Sequence, residues 1–152
     1  MSFSLDTNIL LYAANRDCAE HEDCLAVMKE AAAAPDDWVL ADQVLFELYK
    51  ALRNPKILRR PLTAPAAFAH VEKLRDSFGF IRCWYEAACW PQVAAKLRQN
   101  GFPYQRTHDA VLSATLRHHG VRIFYTRNTK DFQDAGFEKV IDPVSARRSR
   151  AG

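Results

Sequence analysis

Apolar and polar positions change period several times along this chain, and those changes mark out alternating strands and helices. Phe3 and Leu5 are apolar in a run too short for a helix, and Asp6-Thr7-Asn8 follows with small polar side chains that end a strand and cap a helix. Ile9 to Ala14 predicts a short helix, ended near Asn15-Arg16-Asp17. From Ala19 to Ala34, Leu25, Met28 and Ala32 share one side at helical spacing until Pro35-Asp36-Asp37 breaks the pattern. Trp38-Val39-Leu40 predicts a short buried strand. Ala41 to Arg53 returns to helical spacing, with Val44, Leu45, Leu48, Ala51 and Leu52 apolar and Asn54-Pro55 as its stop.

Lys56 to Pro65 carries Lys56, Arg59 and Arg60 among prolines and reads as an exposed basic loop. Phe68, Val71, Leu74 and Phe78 then predict a helix over Ala66 to Ser77, leading to a strand at Phe80 to Trp84. Trp90-Pro91 opens another helix, and Gly101 supplies its C-terminal signal. Phe102 to Arg106 reads as loop. Thr107 is the expected N-cap of a helix running to His119 and stopped by Gly120. Val121 to Tyr125 is the clearest strand, and it runs directly into Thr126 to Phe132. Val140-Ile141 forms a short last strand. From Asp142 onward, with Arg147, Arg148 and Arg150, no apolar pattern remains, so residues 143–152 are expected to be a basic, mobile tail. Strands and helices alternate throughout, which predicts a three-layer α/β/α sandwich with a central parallel sheet, a single domain over residues 1–142.

Composition narrows the class. At 152 residues and 49% hydrophobic content, the chain can bury a core without staples. No apolar run approaches a membrane span and no secretory leader pattern opens the sequence, so a cytoplasmic location is expected. Cys18, Cys24, Cys83 and Cys89 lack the close spacing of zinc sites and read as free thiols. A net charge of +3 is too small for the whole-molecule field to announce a nucleic-acid binder, so local clusters must carry any such argument.

Four acids stand at informative places: Asp6 after the first strand, Glu47 within a helix, Asp109 in a first helical turn, and Asp131 just past the last strong strand. Singly, each has an ordinary role. Asp6 can cap a helix, Glu47 can pair with Lys50, Asp109 can favour its helix dipole, and Asp131 can shape a turn. Glu47 fits its ordinary role least, because Val44, Leu48 and Ala51 beside it suggest a covered face, and a half-buried Glu needs a partner. Brought together, the four would repel unless a divalent cation offset them, and hard oxygen ligands suit Mg²⁺ or Mn²⁺. That donor set serves phosphoryl transfer to water without a covalent nucleophile.

The order of motifs adds a resemblance. Leu5-Asp6-Thr7-Asn8, Leu45-Phe46-Glu47-Leu48, Thr107-His108-Asp109-Ala110-Val111-Leu112-Ser113-Ala114 and Tyr125 to Phe132 together resemble the PIN-domain ribonucleases, most closely the VapC-type toxins of bacterial toxin-antitoxin pairs. The resemblance spans almost the whole chain, and it implies the parallel α/β/α sandwich. It also implies that Asp6, Glu47, Asp109 and Asp131 form the catalytic, metal-holding quartet for Mg²⁺ or Mn²⁺, with Asn8, Thr126 and Asn128 as auxiliary polar positions. The implied activity is endonucleolytic hydrolysis of RNA leaving 5′-phosphate and 3′-hydroxyl ends. A cognate antitoxin and a homodimer are the implied protein partners.

Given a nuclease, Arg53, Lys56, Arg59 and Arg60 become candidate RNA-phosphate contacts, although an ordinary solvated loop accounts for them as well. The five histidines show no metal spacing, and His108 reads as a surface residue. Trp38, Trp84 and Trp90 read as core or partner-interface residues. Other classes compete. An aspartyl-nucleophile phosphatase wants an acid two residues after the strand-end Asp, where Asn8 stands. A non-catalytic RNA-binding or protein-interaction domain of the same fold is the main alternative, and it would be expected to lack one of the acids.

Overall fold

The computed structural model describes residues 2–152. Strands β1 (Phe3–Leu5), β2 (Trp38–Ala41), β3 (Ile81–Cys83), β4 (Ile123–Tyr125) and β5 (Lys139–Ile141) form one sheet in the order β3-β2-β1-β4-β5. Every pairing is parallel, and β1 lies in register with both neighbours, Phe3 opposite Trp38 on one side and Ile123 on the other. Parallel strands need crossovers, and the helices supply them. They are α1 (Thr7–Ala14), α2 (His21–Ala33), α3 (Asp42–Leu52), α4 (Ala64–Asp76), α5 (Trp90–Leu97), α6 (Thr107–His118), α7 (Thr129–Phe132) and α8 (Pro143–Ala151). Helix α1 packs against both α2 and α3, and α3 against α4, while α5 and α6 pair and α6 lies against β2. The result is the expected α/β/α sandwich.

Central strands carry the core. All four residues of β2 are buried, as a strand covered on both faces requires, whereas β3 at the sheet edge exposes Ile81 and Arg82. Ile9, Leu10, Leu40, Leu45, Leu48, Leu112, Leu116 and Phe124 are among the largest fully buried side chains, each contributing roughly 1.5–3 kcal/mol by leaving water. Ser4, the polar residue of β1, is fully buried and satisfied, since its hydroxyl donates to the Val39 carbonyl at 2.7 Å. The strand order reverses between β1 and β4. Crossovers diverge there, which opens a crevice at the C-terminal ends of those two strands.

Local chemistry moved several boundaries. Helix α4 begins at Ala64, because the Thr63 hydroxyl caps Ala66 N and Pro65 falls in the first turn, where a missing N–H is no loss. Thr107 is not an N-cap: a short 3-10 helix, Tyr104–Arg106, runs straight into α6, and the already helical Thr107 donates its hydroxyl to the Tyr104 carbonyl at 2.7 Å. Residues 143–151 form α8 in place of an irregular tail. Asp142 caps it, accepting from Val144 N at 3.0 Å, Val144 is buried at 2% exposure, and Arg147 reaches Asp23 of α2 at 3.1 Å. One cap and two adjacent buried residues, Pro143 and Val144, leave almost no periodic trace.

Candidate active site

Asp6 is the first residue beyond β1, and the ladder places it: its N–H donates to the Tyr125 carbonyl of β4 at 2.9 Å. Asp6 has the capping role that the sequence allowed. As N-cap of α1 it accepts from Thr7 N at 2.7 Å through Oδ1, and through Oδ2 it accepts from the Thr126 hydroxyl at 2.6 Å and the Asn8 amide at 3.2 Å. Thr126, fully buried just beyond β4, also accepts from Asn128 N at 3.0 Å, while Asn8 Oδ1 accepts from Arg127 N at 3.2 Å. Asp6, Asn8 and Thr126 therefore lock together across the β1–β4 switch point. Asn128 joins this group through its backbone N–H, and its side chain is exposed.

Glu47 projects from the middle of α3 toward the same crevice. It makes no ion pair with Lys50; instead Oε2 accepts from the Thr7 hydroxyl at 2.9 Å and Oε1 from the Gln43 amide at 3.1 Å. Gln43 also donates to the His108 carbonyl at 3.0 Å, which ties α3 to the first turn of α6, where Asp109 stands. Asp131, in the single turn of α7, faces Arg106, whose Nε lies 3.8 Å from Asp131 Oδ1 and whose Nη2 donates to the Asp131 carbonyl. Sequence reasoning missed Thr7, Gln43 and Arg106. Gln43 had a faint signal, four residues before Glu47 on one helix face; Arg106 had none.

The electrostatics register how close the acids lie. Burial pushes the Asp6 carboxyl up to about 6 from an ordinary 3.8, the hydrogen bond from Thr126 opposes this, and the charge of Glu47 adds to it. Asp109 is likewise raised to about 6, by burial first and then by the charges of Asp6, Asp131 and Glu47, against which Arg106 acts. One carboxylate thus feels all three others. Among the described residues no three His, Cys, Asp or Glu side chains already stand in a metal-coordinating arrangement. The donors are nonetheless all oxygen and mutually repelling, the chemistry that hard divalent cations such as Mg²⁺ and Mn²⁺ accept.

The basic loop follows α3. Arg53 follows the C-terminus of α3, six residues or about 9 Å of helix beyond Glu47. Its guanidinium donates to the Tyr49 hydroxyl at 3.0 Å, Arg60 pairs with Asp17 at 3.0 Å, and Lys56 and Arg59 are exposed. Among the described residues no hydrogen bond or ion pair joins these four cations to the four acids. A cavity of about 250 Å³ does adjoin Asp109 and Asp131, and Lys96, Arg106 and Arg117 line it.

The chain folds as an α/β/α sandwich around a parallel sheet, residues 4–138 match the PIN domain family, and the chain belongs to it. Within the family it is closely related to the VapC toxins of bacterial toxin-antitoxin systems. It is 42% identical over 152 residues to Ribonuclease VapC24 of Mycobacterium tuberculosis, a match that spans 94% of this chain and 97% of that protein. Among solved structures, Mycobacterium tuberculosis VapC20, described as a Sarcin-Ricin loop cleaving toxin, superposes with a TM-score of 0.67 at 24% identity, covering 90% of this chain and 96% of that one. VapBC2 of Rickettsia felis, solved bound to a DNA fragment from its promoter, gives 0.65 at 16% identity over 93% and 98%. Those two structures share the fold.

Proposed function

We propose that this protein is a Mg²⁺- or Mn²⁺-dependent endoribonuclease, the toxin of a type II toxin-antitoxin pair. The observation that carries the proposal is the convergence of acids from four separate segments, with Asp109 raised first by burial and then by the charges of Asp6, Asp131 and Glu47. Kinship with a protein named as a ribonuclease supports the substrate class.

In this reading Asp6, Glu47, Asp109 and Asp131 hold the cation. A bound divalent cation supplies Lewis acidity, making water a better nucleophile and offsetting charge on the scissile phosphate. The chain's own residues prepare that chemistry. Thr126 and Asn8 fix the rotamer of Asp6, Thr7 and Gln43 fix that of Glu47, and Arg106 restrains Asp131. Such supporting hydrogen bonds orient ligands and tune their basicity.

Partners follow from the surface. Leu45, Phe46, Tyr49, Phe68 and Val71 line an apolar groove between α3 and α4, with Phe46 73% exposed beside Glu47. An amphipathic antitoxin helix laid there would bring a basic side chain to the acids. Ile81, Trp84, Tyr85 and Trp90 are exposed along β3 and the start of α5, a patch suited to a homodimer. A monomer by light scattering at micromolar concentration would count against the dimer. No helix among the described residues is long and apolar enough to cross a membrane.

The decisive experiment is Asp6→Asn, which keeps shape and removes charge. It should fold and lose all but a trace of Mg²⁺-dependent RNA cleavage, while undiminished cleavage by the purified variant would remove Asp6 from the metal site.

A further inference from the structure

The cavity beside the acids lies between α5, α6 and the turn from α7 to β5. Asp109, Ser113 and Arg117 occupy successive turns of α6 on the side facing it, a stripe about 12 Å long that begins at the acids. Gln92, Gln99 and Phe102 line the same cavity. Two of its three cations are already engaged. Lys96 Nζ lies 2.9 Å from both the carboxylate and the carbonyl of Asp134, and Arg106 contacts Asp131, Asp134 and the face of Phe102. Arg117 differs: its side chain has no hydrogen bond or ion pair among the described residues.

Arg117 is nevertheless seated. Its guanidinium lies over the bare backbone of Gly136, where an added Cβ would come within 2.0 Å of Nη1 and 2.7 Å of Cζ. A side chain at position 136 would displace the guanidinium from that position, and Gly136 holds a φ of +87°, which other residues resist. A guanidinium without a carboxylate partner, two helical turns from an acid cluster and above a cavity with amide and aromatic walls, has the chemistry to hold a phosphate while a base lies alongside.

We propose that this cavity is a nucleotide subsite for the RNA strand flanking the scissile bond, and that Arg117, seated on Gly136, is the positioning residue that holds a backbone phosphate there. The proposal rests on the ribonuclease reading above and adds the route of the substrate. The strand runs from the acids down the Asp109–Ser113–Arg117 stripe, not toward the basic loop at Arg53 to Arg60. Arg117 touches no reacting atom, so its contribution belongs in affinity and KM, with kcat nearly unchanged.

The test uses fluorescein-labelled single-stranded RNA of random sequence, its anisotropy followed against full-length Asp6→Asn protein in Mg²⁺ over a range of KCl. Adding Arg117→Ala should weaken binding about tenfold, the scale of a hydrogen-bonded charge, and flatten the slope of log K against log salt by about 0.7, one phosphate's worth for a single strand. Arg117→Lys should keep the slope. Gly136→Ala should reproduce the loss by unseating the guanidinium, and should add nothing in the Arg117→Ala background. Gly79→Ala, with a comparable φ of +80° and only ordinary contacts to Pro35, controls for backbone strain and should leave the slope alone. An unchanged slope and affinity in Arg117→Ala overturns the proposal, as do losses that multiply in the double variant. Arg117 is exposed, so its variant decides the matter even if Gly136→Ala fails to fold. If wild type cleaves RNA and Arg117→Ala binds like its parent, only the subsite falls; if wild type neither binds nor cleaves RNA, the subsite and the ribonuclease reading fall together.

Discussion

Asp6 is held by three donors and yet has a carboxyl raised to about 6, because burial outweighs what Thr126, Thr7 and Asn8 return to the charged form. That balance makes Thr126 the most informative neighbour. Thr126→Val keeps the volume and removes the hydroxyl that donates to Oδ2 at 2.6 Å, so a buried acceptor loses its closest partner, at a cost of about 1–3 kcal/mol. With that donor gone, Asp6 should protonate at higher pH still, and the acid limb of the cleavage profile should move upward. A profile that stays in place would show that Thr126 does not govern Asp6. The same shift has a consequence for the metal-free protein. A carboxyl raised from 3.8 to about 6 binds more protons folded than unfolded between those values, so the stability it contributes is fully present below about pH 3.8 and lost as pH rises through about 6. Asp6→Asn carries no such dependence. In chelator its melting temperature should therefore gain on wild type between about pH 4 and about pH 7, and a constant difference would mean that Asp6 titrates as an ordinary carboxylate.

Among the elements, α8 illustrates how a short helix can brace a site it never touches. Asp142 caps α8 and takes both oxygens to Arg127 at 2.8 Å, while the N–H of Arg127 holds Asn8, which in turn holds Asp6. Burial pushes the Asp142 carboxyl up, but the hydrogen bonds from Arg127, Ser145 and Val144 outweigh it and hold the group below its ordinary value. Asp142→Ala should cost about 2 kcal/mol in urea denaturation, the loss of a cap together with a charge-assisted pair, and should lower cleavage by loosening the turn at Thr126 to Asn128. A loss below about 0.5 kcal/mol would mean that α8 does not brace that turn. Periodicity located β1 to β5 and helices α1 to α6, because buried parallel strands and amphipathic helices leave strong patterns, but not the single turn of α7. It could not see α8, whose docking rests on Val144 and two ion pairs, nor that the hydroxyl of Thr107 looks back to Tyr104. The acids proposed for the site were legible at strand and helix ends and, for Glu47, on a covered helix face, and the resemblance carried by the order of motifs implied their shared role. Their supporting partners Gln43 and Arg106 were not, because what makes them matter is the approach of α6 to α3 and α7, a tertiary event with no local signature.

At the scale of the whole molecule, the strand order β3-β2-β1-β4-β5 is what makes a site out of scattered acids. It sets the ends of β1 and β4 side by side while α3 and α6 bring Glu47 and Asp109 in from their own layers. On the proposed reading the charges so gathered oppose folding in the absence of a cation and would reward its binding, which makes the stability of the entire chain a reporter of the site. The acids should not report equally. Asp109 is raised to about 6 partly by its three neighbours, so Asp109→Asn should raise the melting temperature of metal-stripped protein at neutral pH. Asp131 has Arg106 against it at 3.8 Å, and Asp131→Asn gives up that attraction along with the repulsion, so its metal-free melting temperature should stay close to that of wild type. Both variants should lose much of the rise that Mn²⁺ produces, since each removes one anionic oxygen donor from the same ion. The double variant should lose little more than the larger single loss, because two ligands of one cation are not independent. Thermal melts of metal-stripped protein titrated with Mn²⁺ measure all of these quantities. Wild-type-sized Mn²⁺ shifts in both single variants would show that Asp109 and Asp131 do not share a cation, and the quartet would then have to be redrawn around Asp6 and Glu47.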